Sequence, residues 1–319
     1  MHPRNRHKSR YDLKKLCQAV PELNAFLITR PEQQKTIDFS NPQAVICLNK
    51  AILALDYGIK HWSIPDGFLC PPIPGRVDYI HYLADLLTHS NGNRVPTKPE
   101  QTQLLDIGCG ASLIYPLLAH QVYKWRATGA DIDPLSVANS NKVINDNNLS
   151  RAISVQLQSD ESKCFANIIG DNDRFDVTLC NPPFHDSLAT ALKANQAKRQ
   201  NLAKNSNRAN HNKQSMPDLV SSKLNFGGQK AELFCDGGEL KFVRRMIMES
   251  KYYAKQVLWF TCLVSNKEHL RPLKLALKKA KVVDTRTVTM RQGQKTSRFI
   301  AWSFHNKQQQ LDWCRHYLN

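Results

Sequence analysis

Four residues, Asn181-Pro182-Pro183-Phe184, form the stretch of this sequence best suited to chemistry. They follow an apolar run, 175–180, with the length and composition of a buried strand. Because proline fixes φ and restricts the residue before it, Asn181 and Pro182 are held extended. The turn can present the Asn181 side-chain oxygen beside the Pro182 carbonyl, with Phe184 as a flat wall. This arrangement suits a planar group carrying an NH2, such as adenine, although the four residues alone fit a plain proline-rich turn equally well.

A glycine pair follows an earlier predicted strand, 104–107, and leads into a predicted helix. Asp106, Gly108 and Gly110 make the pattern D-x-G-x-G. Its glycines let the backbone approach a ligand, and the helix N-terminus offers free amides. Position 113 is leucine, so the third glycine of a dinucleotide-binding fingerprint is absent, which counts against NAD. The loop instead fits S-adenosylmethionine, whose methionine carboxylate can lie on those amides.

An acidic residue ends the next predicted strand, 127–130. Asp131 is placed to accept hydrogen bonds from both hydroxyls of a ribose. Asp133, which precedes Pro134, is interpreted as a helix cap rather than a ligand. The glycine loop, Asp131 and the N-P-P-F turn, in that order and in a strand–loop–helix context, together favour an enzyme.

The turn at Asn181 predicts a particular way of activating an amino group. The exocyclic nitrogen of adenine is a poor nucleophile because its lone pair is delocalised into the ring. Hydrogen bonds from its two N–H groups to Asn181 and to the Pro182 carbonyl would favour a pyramidal nitrogen, while Phe184 stacks on the base. The methyl group is already activated by the sulfonium, so the transfer needs positioning more than acid–base catalysis, and no metal. Cys180 is interpreted as a buried strand residue and His185-Asp186 as a solvated loop pair.

Strands alternate with helices from residue 103 onwards, which indicates a mostly parallel sheet covered on both faces. The predicted strands are 104–107, 127–130, 153–157, 175–179 and 257–264, and the predicted helices are 113–120, 134–147, 239–254 and 267–280. Two final runs, 282–290 and 299–304, flank a polar turn, as in an antiparallel hairpin. We therefore expect an α/β, Rossmann-like class I methyltransferase fold, closed by a C-terminal antiparallel hairpin.

The N-terminal part, 1–95, is predicted to be a small helical module, and 96–319 the methyltransferase domain. Asn41 and Pro42 open a helix that Gly58 ends, and a second helix begins near Arg76. The polar stretch that follows is expected to be the linker.

Composition limits the class of partner. The chain has 319 residues, of which 41% are apolar, and a formal charge of +17. This charge exceeds what solubility requires, so a polyanionic partner is expected, with nucleic acid first. No apolar run is long enough for a membrane span, and the basic start leads into no signal-peptide core. The nine cysteines have no C-x2-C spacing, so we predict a cytoplasmic protein without a zinc site or disulfide framework.

Two basic segments are predicted to contact phosphates. Residues 1–15 form an arm that is expected to be loose in the free protein, and 193–230 belong to a flexible insertion, at about 190–230, that overhangs the base pocket. The predicted RNA-contacting residues are Arg4, Arg6, Lys8, Arg10, Lys198, Arg199, Lys204 and Arg208.

Motifs along nearly the whole chain resemble the bacterial 23S ribosomal RNA adenine-N6 methyltransferase F family. They lie at 1–5, 71–80, 106–112, 180–185 and 226–239. The resemblance implies S-adenosylmethionine-dependent methylation of one adenine, position 1618, in 23S rRNA. The family is also similar to a eukaryotic RNA adenine methyltransferase in which an arginine matching Arg76 contacts the cofactor. By that match, Arg76 pairs with the methionine carboxylate. Ser112 stands where the commoner D-x-G-x-G-x-G loop has its third glycine. The resemblance does not say which contact is made at this position.

Two other functions stay open. A protein glutamine N5-methyltransferase would use the same turn, because a side-chain amide also offers an NH2; Phe184 and the charge of +17 count against it. A non-catalytic RNA-binding ribosome assembly factor is the alternative outside the enzymes, and the complete loop, Asp131 and Asn181 count against that. Nothing requires a dimer, so a monomer is expected. The sequence does not choose among free rRNA, an assembly intermediate and the finished subunit as substrate.

Overall fold

The computed structural model of the protein describes residues 1–31, 33–183, 235, 237–292 and 295–319. In chain order its elements are α1 (Leu13–Ala19), β1 (Leu27–Thr29), β2 (Lys35–Ile37), α2 (Pro42–Tyr57), α3 (Ile73–Ser90), β3 (Gln103–Ile107), α4 (Ile114–Tyr123), β4 (Arg126–Asp131), α5 (Pro134–Asp146), β5 (Ile153–Leu157), β6 (Phe175–Cys180), α6 (Gly238–Ser250), β7 (Val257–Leu263), α7 (Leu270–Lys279), β8 (Asp284–Gln292), β9 (Lys295–Ser303) and α8 (Lys307–Tyr317). Within these ranges, no helix combines the length and the apolarity needed to cross a membrane.

The main sheet has the strand order β5-β4-β3-β6-β7-β9-β8. Strands β3 to β7 are parallel, and β9 inserts antiparallel between β7 and β8. The register pairs Ile107 of β3 with Cys180 of β6, so the glycine loop and the N-P-P turn leave the sheet side by side. This topology confirms the predicted class I methyltransferase fold.

Every strand and helix predicted from residue 103 to 280 is present. The hairpin is also confirmed, but its strands extend further than predicted, so Arg291, Gln292 and Lys295 belong to β8 and β9. The small hairpin β1–β2 and the helices α1 and α8 were not predicted. Helix α8 carries a recognisable signal, since Asn306 and Gln309 form a capping box at its start.

Hydrophobic residues cover both faces of the sheet. Along β3, Leu104 packs on the face covered by the N-terminal helices and α4, while Leu105 packs on the face covered by α6 and α7. Tyr79 of α3 reaches the middle of the sheet, where its hydroxyl hydrogen-bonds Thr261 at 2.7 Å. The helices of residues 1–95 therefore share one hydrophobic core with the sheet; the boundary near residue 95 stays a prediction.

The N-terminal arm is folded onto the protein, and the prediction that it is loose is wrong. His2, Asn5 and His7 are buried. The His2 N–H donates to Asp78 at 3.0 Å, and its ring meets Asp85 at 2.9 Å. Composition alone suggested a solvated arm because its cations dominate. The histidines and the asparagine between those cations carry the packing.

Candidate active site

A cavity of about 670 Å³ opens at the carboxyl ends of β3, β4, β5 and β6. Its size lies within the range usual for ligand pockets. The predicted site residues that line it are Arg76, Gly108, Gly110, Asp131, Asn181 and Pro183. Asp106 and Pro182 are buried next to lining residues. Phe184, His185 and Asp186 lie outside the described residues.

The Asn181 side chain supplies the unsatisfied acceptor that the predicted chemistry needs. Its Oδ1 is buried and has no hydrogen-bond partner among the residues that the structure describes. Leaving a buried acceptor unpaired costs about 1–3 kcal/mol, so a ligand N–H placed there would recover that free energy. Cys180, directly before it, is fully buried and burial raises the pKa of its thiol well above the usual range. This confirms the interpretation of Cys180 as a strand residue.

The glycine loop offers space to a ligand, but three of its amides, that of Cys109 included, already have acceptors. Gly108 and Gly110 have φ of +71° and +64°, a conformation that favours glycine. A Cβ added at Gly108 would meet no atom within 4 Å, so the backbone there borders open space. The Gly108 N–H donates to the Ala130 carbonyl at 2.8 Å, and the Gly110 N–H to Asp131 at 2.8 Å. These two amides therefore already have acceptors within the protein, and their binding of the methionine carboxylate stays a prediction.

Side chains from two other elements hold the same loop from behind. The Trp62 indole donates to the Ser112 carbonyl at 2.9 Å, which is the contact that the sequence left open. Asn139 of α5 donates both to the Ala111 carbonyl at 2.8 Å and to the Ser63 carbonyl at 2.9 Å. The N-terminal part of the chain thus helps to fix the glycine loop.

Asp106 is a buried carboxylate without a partner. Neither of its oxygens has a hydrogen bond within the described part of the chain, and the residue is completely buried. Burial, reinforced by the nearby Asp131, raises the pKa of Asp106 well above its usual value, and only Arg76 opposes the shift. A ligand cation at this point would pair with the carboxylate and remove the cost of burying it.

Arg76 is oriented by an aromatic neighbour that sequence analysis missed. Its Nη1 donates to the Tyr115 hydroxyl at 2.6 Å, and the guanidinium lies 5.3 Å from the centre of that ring. The Nε of Arg76 is buried and has no hydrogen-bond partner in the described ranges. Burial raises the pKa of Tyr115 to about 12, so the hydroxyl stays neutral. Arg76 therefore has hydrogen-bonding capacity left for an anionic group in the cavity.

Asp131 ends β4 and accepts two backbone hydrogen bonds. Its Oδ2 accepts from Gly110 at 2.8 Å and its Oδ1 from the Asp133 N–H at 3.0 Å. Each carboxylate oxygen keeps a lone pair for a further donor. Asp133 itself accepts from the Leu135 N–H as the cap of α5, which confirms its interpretation.

Comparisons with known proteins identify the family. Residues 1–306 match a family model described as RNA methyltransferase. The chain belongs to this family. It is 49% identical over 313 residues to Ribosomal RNA large subunit methyltransferase F of Pseudomonas putida (strain W619), covering 98% of this chain and 96% of the relative. The protein of the same name from Salmonella newport (strain SL254) is 49% identical over 310 residues, or 97% and 95% of the two chains.

Solved structures of a human protein have the same fold as this RNA methyltransferase. The hMettl16 catalytic domain in complex with a MAT2A 3′UTR hairpin superposes with a TM-score of 0.75 at 28% identity, over 96% of this chain and 98% of that one. The N-terminal domain of human METTL16 in complex with SAH gives a TM-score of 0.72 at 26% identity, over 96% and 99%.

S-adenosylmethionine is the cofactor of this methyltransferase, and the cavity fits it. Among the described residues, the Asp106 carboxylate, buried beside the cavity, and the Arg76 Nε have no hydrogen-bond partner, and the two groups are of opposite charge. An amino-acid moiety, which carries an ammonium and a carboxylate, would satisfy both of them. A neutral ligand would leave the Asp106 carboxylate unpaired.

Part of the methyltransferase cavity comes from segments that sequence reasoning did not assign. Gln158 follows β5 and lines the cavity, as do Lys163 and Cys164 a few residues later. Gln158 follows the same rule as Asp131, since both come at the carboxyl end of a parallel strand, so this signal was available. Phe242 and Arg245 of α6 also line the cavity. No local pattern marks them, because they reach the cavity only through the packing of α6.

The predicted RNA contacts divide into three groups. Arg4 donates to Asp85 and to the His81 carbonyl, and Arg6 to the Asp56 carbonyl, so both have partners within the protein. Lys8, whose ammonium donates to the nearby Pro3 carbonyl, and Arg10 are exposed, as are Arg4 and Arg6. The remaining four, Lys198, Arg199, Lys204 and Arg208, lie outside the described residues.

Proposed function

We propose that this RNA methyltransferase methylates N6 of one adenine in 23S rRNA, position 1618, in the cytoplasm. The observation that carries the proposal is the buried, unpartnered Oδ1 of Asn181 beside Pro182, at the end of the strand next to the cofactor loop. The names of the bacterial relatives support large-subunit rRNA as the substrate.

The chain's own residues hold the two reactants. Arg76 and Asp106 bind the carboxylate and the ammonium of the methionine moiety, and Asp131 binds the ribose hydroxyls. Gly108 and Gly110 leave room for the cofactor, which supplies a methyl group on a sulfonium. The N-terminal part, 1–95, and the methyltransferase domain, 96–319, together complete this site.

Asn181 and the Pro182 carbonyl accept the two N–H groups of the adenine, with Phe184 stacked on the base. Held in this way, the nitrogen would have its lone pair directed at the methyl group that the cofactor's sulfonium would supply. One proton then leaves the methylated nitrogen to water. Catalysis depends mainly on alignment of the two reactants.

The test measures transfer of labelled methyl to protein-free 23S rRNA, followed by mass spectrometry of the fragment that contains position 1618. Asn181→Ala is expected to lower the transfer rate at least about 100-fold, because it removes an acceptor used in the transition state. Binding of S-adenosylhomocysteine should be retained. The matched control is Asn172→Ala, which removes the same side chain from the exposed loop before β6.

Three outcomes would contradict the proposal. Undiminished methyl transfer by Asn181→Ala would contradict the proposed role of Asn181 in the mechanism. Label at an RNA position other than an adenine N6 would show that a different atom accepts the methyl group. Label in a release factor or ribosomal protein, with none in RNA, would favour the glutamine methyltransferase alternative.

A further inference from the structure

The segment 158–166 forms the wall of the cavity beyond β5. It is neither helix nor strand, yet it is held tightly. Gln158 closes it on itself, since its side chain donates to the Ala166 carbonyl at 2.7 Å and accepts from the Asp160 N–H at 2.9 Å. Cys164 and Lys163, at the middle of this wall, line the cavity.

One carboxylate outside the segment fixes its second half. Glu249 of α6 accepts three consecutive backbone N–H groups, from Cys164 at 2.8 Å, Phe165 at 2.9 Å and Ala166 at 2.8 Å. Hydrogen bonds from N–H groups to a charged acceptor are among the stronger ones in proteins. Phe165 is completely buried, so the amides here have little access to water as an alternative acceptor.

The position of Glu249 is unusual for helix stability alone. It lies in the last turn of α6, where the helix dipole favours a cation over an anion. Arg245, one turn earlier, lies against the Cys164 thiol and lines the cavity. The same face of α6 therefore contacts the cavity wall at two successive turns.

The proposed placement of the cofactor puts its adenine against this wall. Strands β6, β3, β4 and β5 are neighbours in that order, and the cavity runs along their carboxyl ends. With the methyl acceptor at Asn181 and the ribose at Asp131, the base on that ribose points toward the end of β5. Gln158 and Cys164 line the cavity at that end.

We propose that Glu249 is a positioning residue that shapes the adenosine subsite of the cofactor through the backbone of residues 164–166, without touching the cofactor. The proposal rests on the cofactor placement in the proposed function. Without the carboxylate, three N–H groups lose their acceptor, and the wall can no longer hold a single shape against the base.

The test compares two ligands in the full-length protein, S-adenosylhomocysteine and 5′-methylthioadenosine, which lacks the amino-acid moiety. Glu249→Ala is expected to raise the Kd of both ligands by about tenfold, equivalent to losing one or two hydrogen bonds. At saturating S-adenosylmethionine, kcat should stay within about twofold of wild type, since binding rather than the chemical step is affected. Glu249→Gln keeps one acceptor oxygen and should give an intermediate Kd.

Two further variants separate the possible failures. Arg244→Ala changes an exposed residue of the same helix and should leave both Kd values unchanged. Arg76→Ala should weaken S-adenosylhomocysteine but not 5′-methylthioadenosine; equal weakening of both would overturn the cofactor placement. If that placement holds and either Glu249 variant binds 5′-methylthioadenosine as wild type does, the positioning role is excluded. A fall in kcat at an unchanged Kd would exclude it as well. If Glu249→Ala does not fold, Glu249→Gln decides alone.

Discussion

Asp106 carries a buried carboxyl that should lower the stability of the free protein and that the proposed cofactor site would use. Its carboxylate is buried, unpaired and next to another acid, Asp131, with Arg76 as the opposing charge. A native protein rarely leaves a buried acceptor unsatisfied, and functional sites are the usual exception. The cofactor's ammonium would supply the missing partner.

Asp106→Asn should therefore change stability and binding in opposite directions. Because folding raises the pKa of Asp106, protonation of this carboxyl favours the folded state. The contribution is fully present below the unfolded pKa and is lost as pH rises through the folded pKa. At about pH 8 the free variant should melt a few degrees above wild type, and the difference should shrink toward about pH 4. Its Kd for S-adenosylhomocysteine should rise about tenfold or more, because the ammonium loses a charged partner. Thermal unfolding with and without that ligand measures both effects.

The matched control is Asp171→Asn, which removes an exposed carboxylate far from the cavity. A free Asp106→Asn protein less stable than wild type at pH 8 would show that the carboxylate has a partner in solution. An unchanged Kd for S-adenosylhomocysteine would show that Asp106 does not bind the cofactor.

At the level of residues, sequence predicted those side chains that follow a strand and missed those that act through packing. Asp131 and Asn181 could be placed because the carboxyl ends of parallel strands meet at one edge of the sheet. Tyr115 and Glu249 could not, because each lies on a helix and acts on a neighbour, Arg76 or 164–166, that only the folded chain brings close.

At the level of elements, the glycine loop is fixed by its neighbours on both sides. Its amides bind the end of β4, and its carbonyls accept from Trp62 and from Asn139 of α5. Asn139 also binds the Ser63 carbonyl, so one side chain joins the N-terminal loop to the cofactor loop.

Asn139→Ala should therefore weaken cofactor binding although Asn139 does not line the cavity. Loss of two hydrogen bonds to backbone carbonyls should cost about 1–3 kcal/mol of stability, because both carbonyls lose a donor. The Kd for S-adenosylhomocysteine should rise several-fold, about threefold to tenfold, as the loop loses its fixed shape. Asn141→Ala, on the exposed face of the same helix, is the matched control. Equal Kd values for the two variants, measured by calorimetry, would show that Asn139 is not needed to hold the loop.

Element boundaries were predictable where local chemistry determines them. Asn41 caps α2 through its side chain, and Gly58 ends it with φ of +70°, both as expected. The course of the N-terminal arm was not predictable, because it depends on His2 and Asn5 meeting Asp78 more than 70 positions later. Contacts at that separation leave no periodic pattern in the sequence.

On the scale of the whole molecule, the N-terminal arm, the start of α3 and the end of the hairpin meet beside the cavity. The Met1 amino group donates to the Arg291 carbonyl, and Asn5 donates to the Pro74 carbonyl at 2.9 Å. A Cβ at Gly75 would lie 3.2 Å from Gln292. Since Arg76 follows directly and lines the cavity, this junction borders the proposed active site.

Deleting the arm would remove buried residues, so point substitutions give the cleaner test of RNA binding. The double variant Lys8→Ala/Arg10→Ala removes two exposed cations without touching buried side chains. If both contact phosphates, the slope of log affinity for 23S rRNA against log salt should flatten by about 1.5–2, because each contact releases nearly one counterion. Filter binding over a salt series measures the slope, and methyl transfer at low salt should continue.

The matched control removes two exposed cations near the amino ends of the strands, at the end of the sheet opposite the cavity. Lys307 and Arg315 lie on α8, and Trp313 of the same helix hydrogen-bonds Asp176 at the amino end of β6, away from the cavity. Lys307→Ala/Arg315→Ala changes the net charge by the same amount, so any effect of total charge alone appears in both variants. A salt slope flattened only in the arm variant would place RNA phosphates along the arm. Equal slopes in the two variants would mean that the arm attracts RNA only through the overall charge of the molecule.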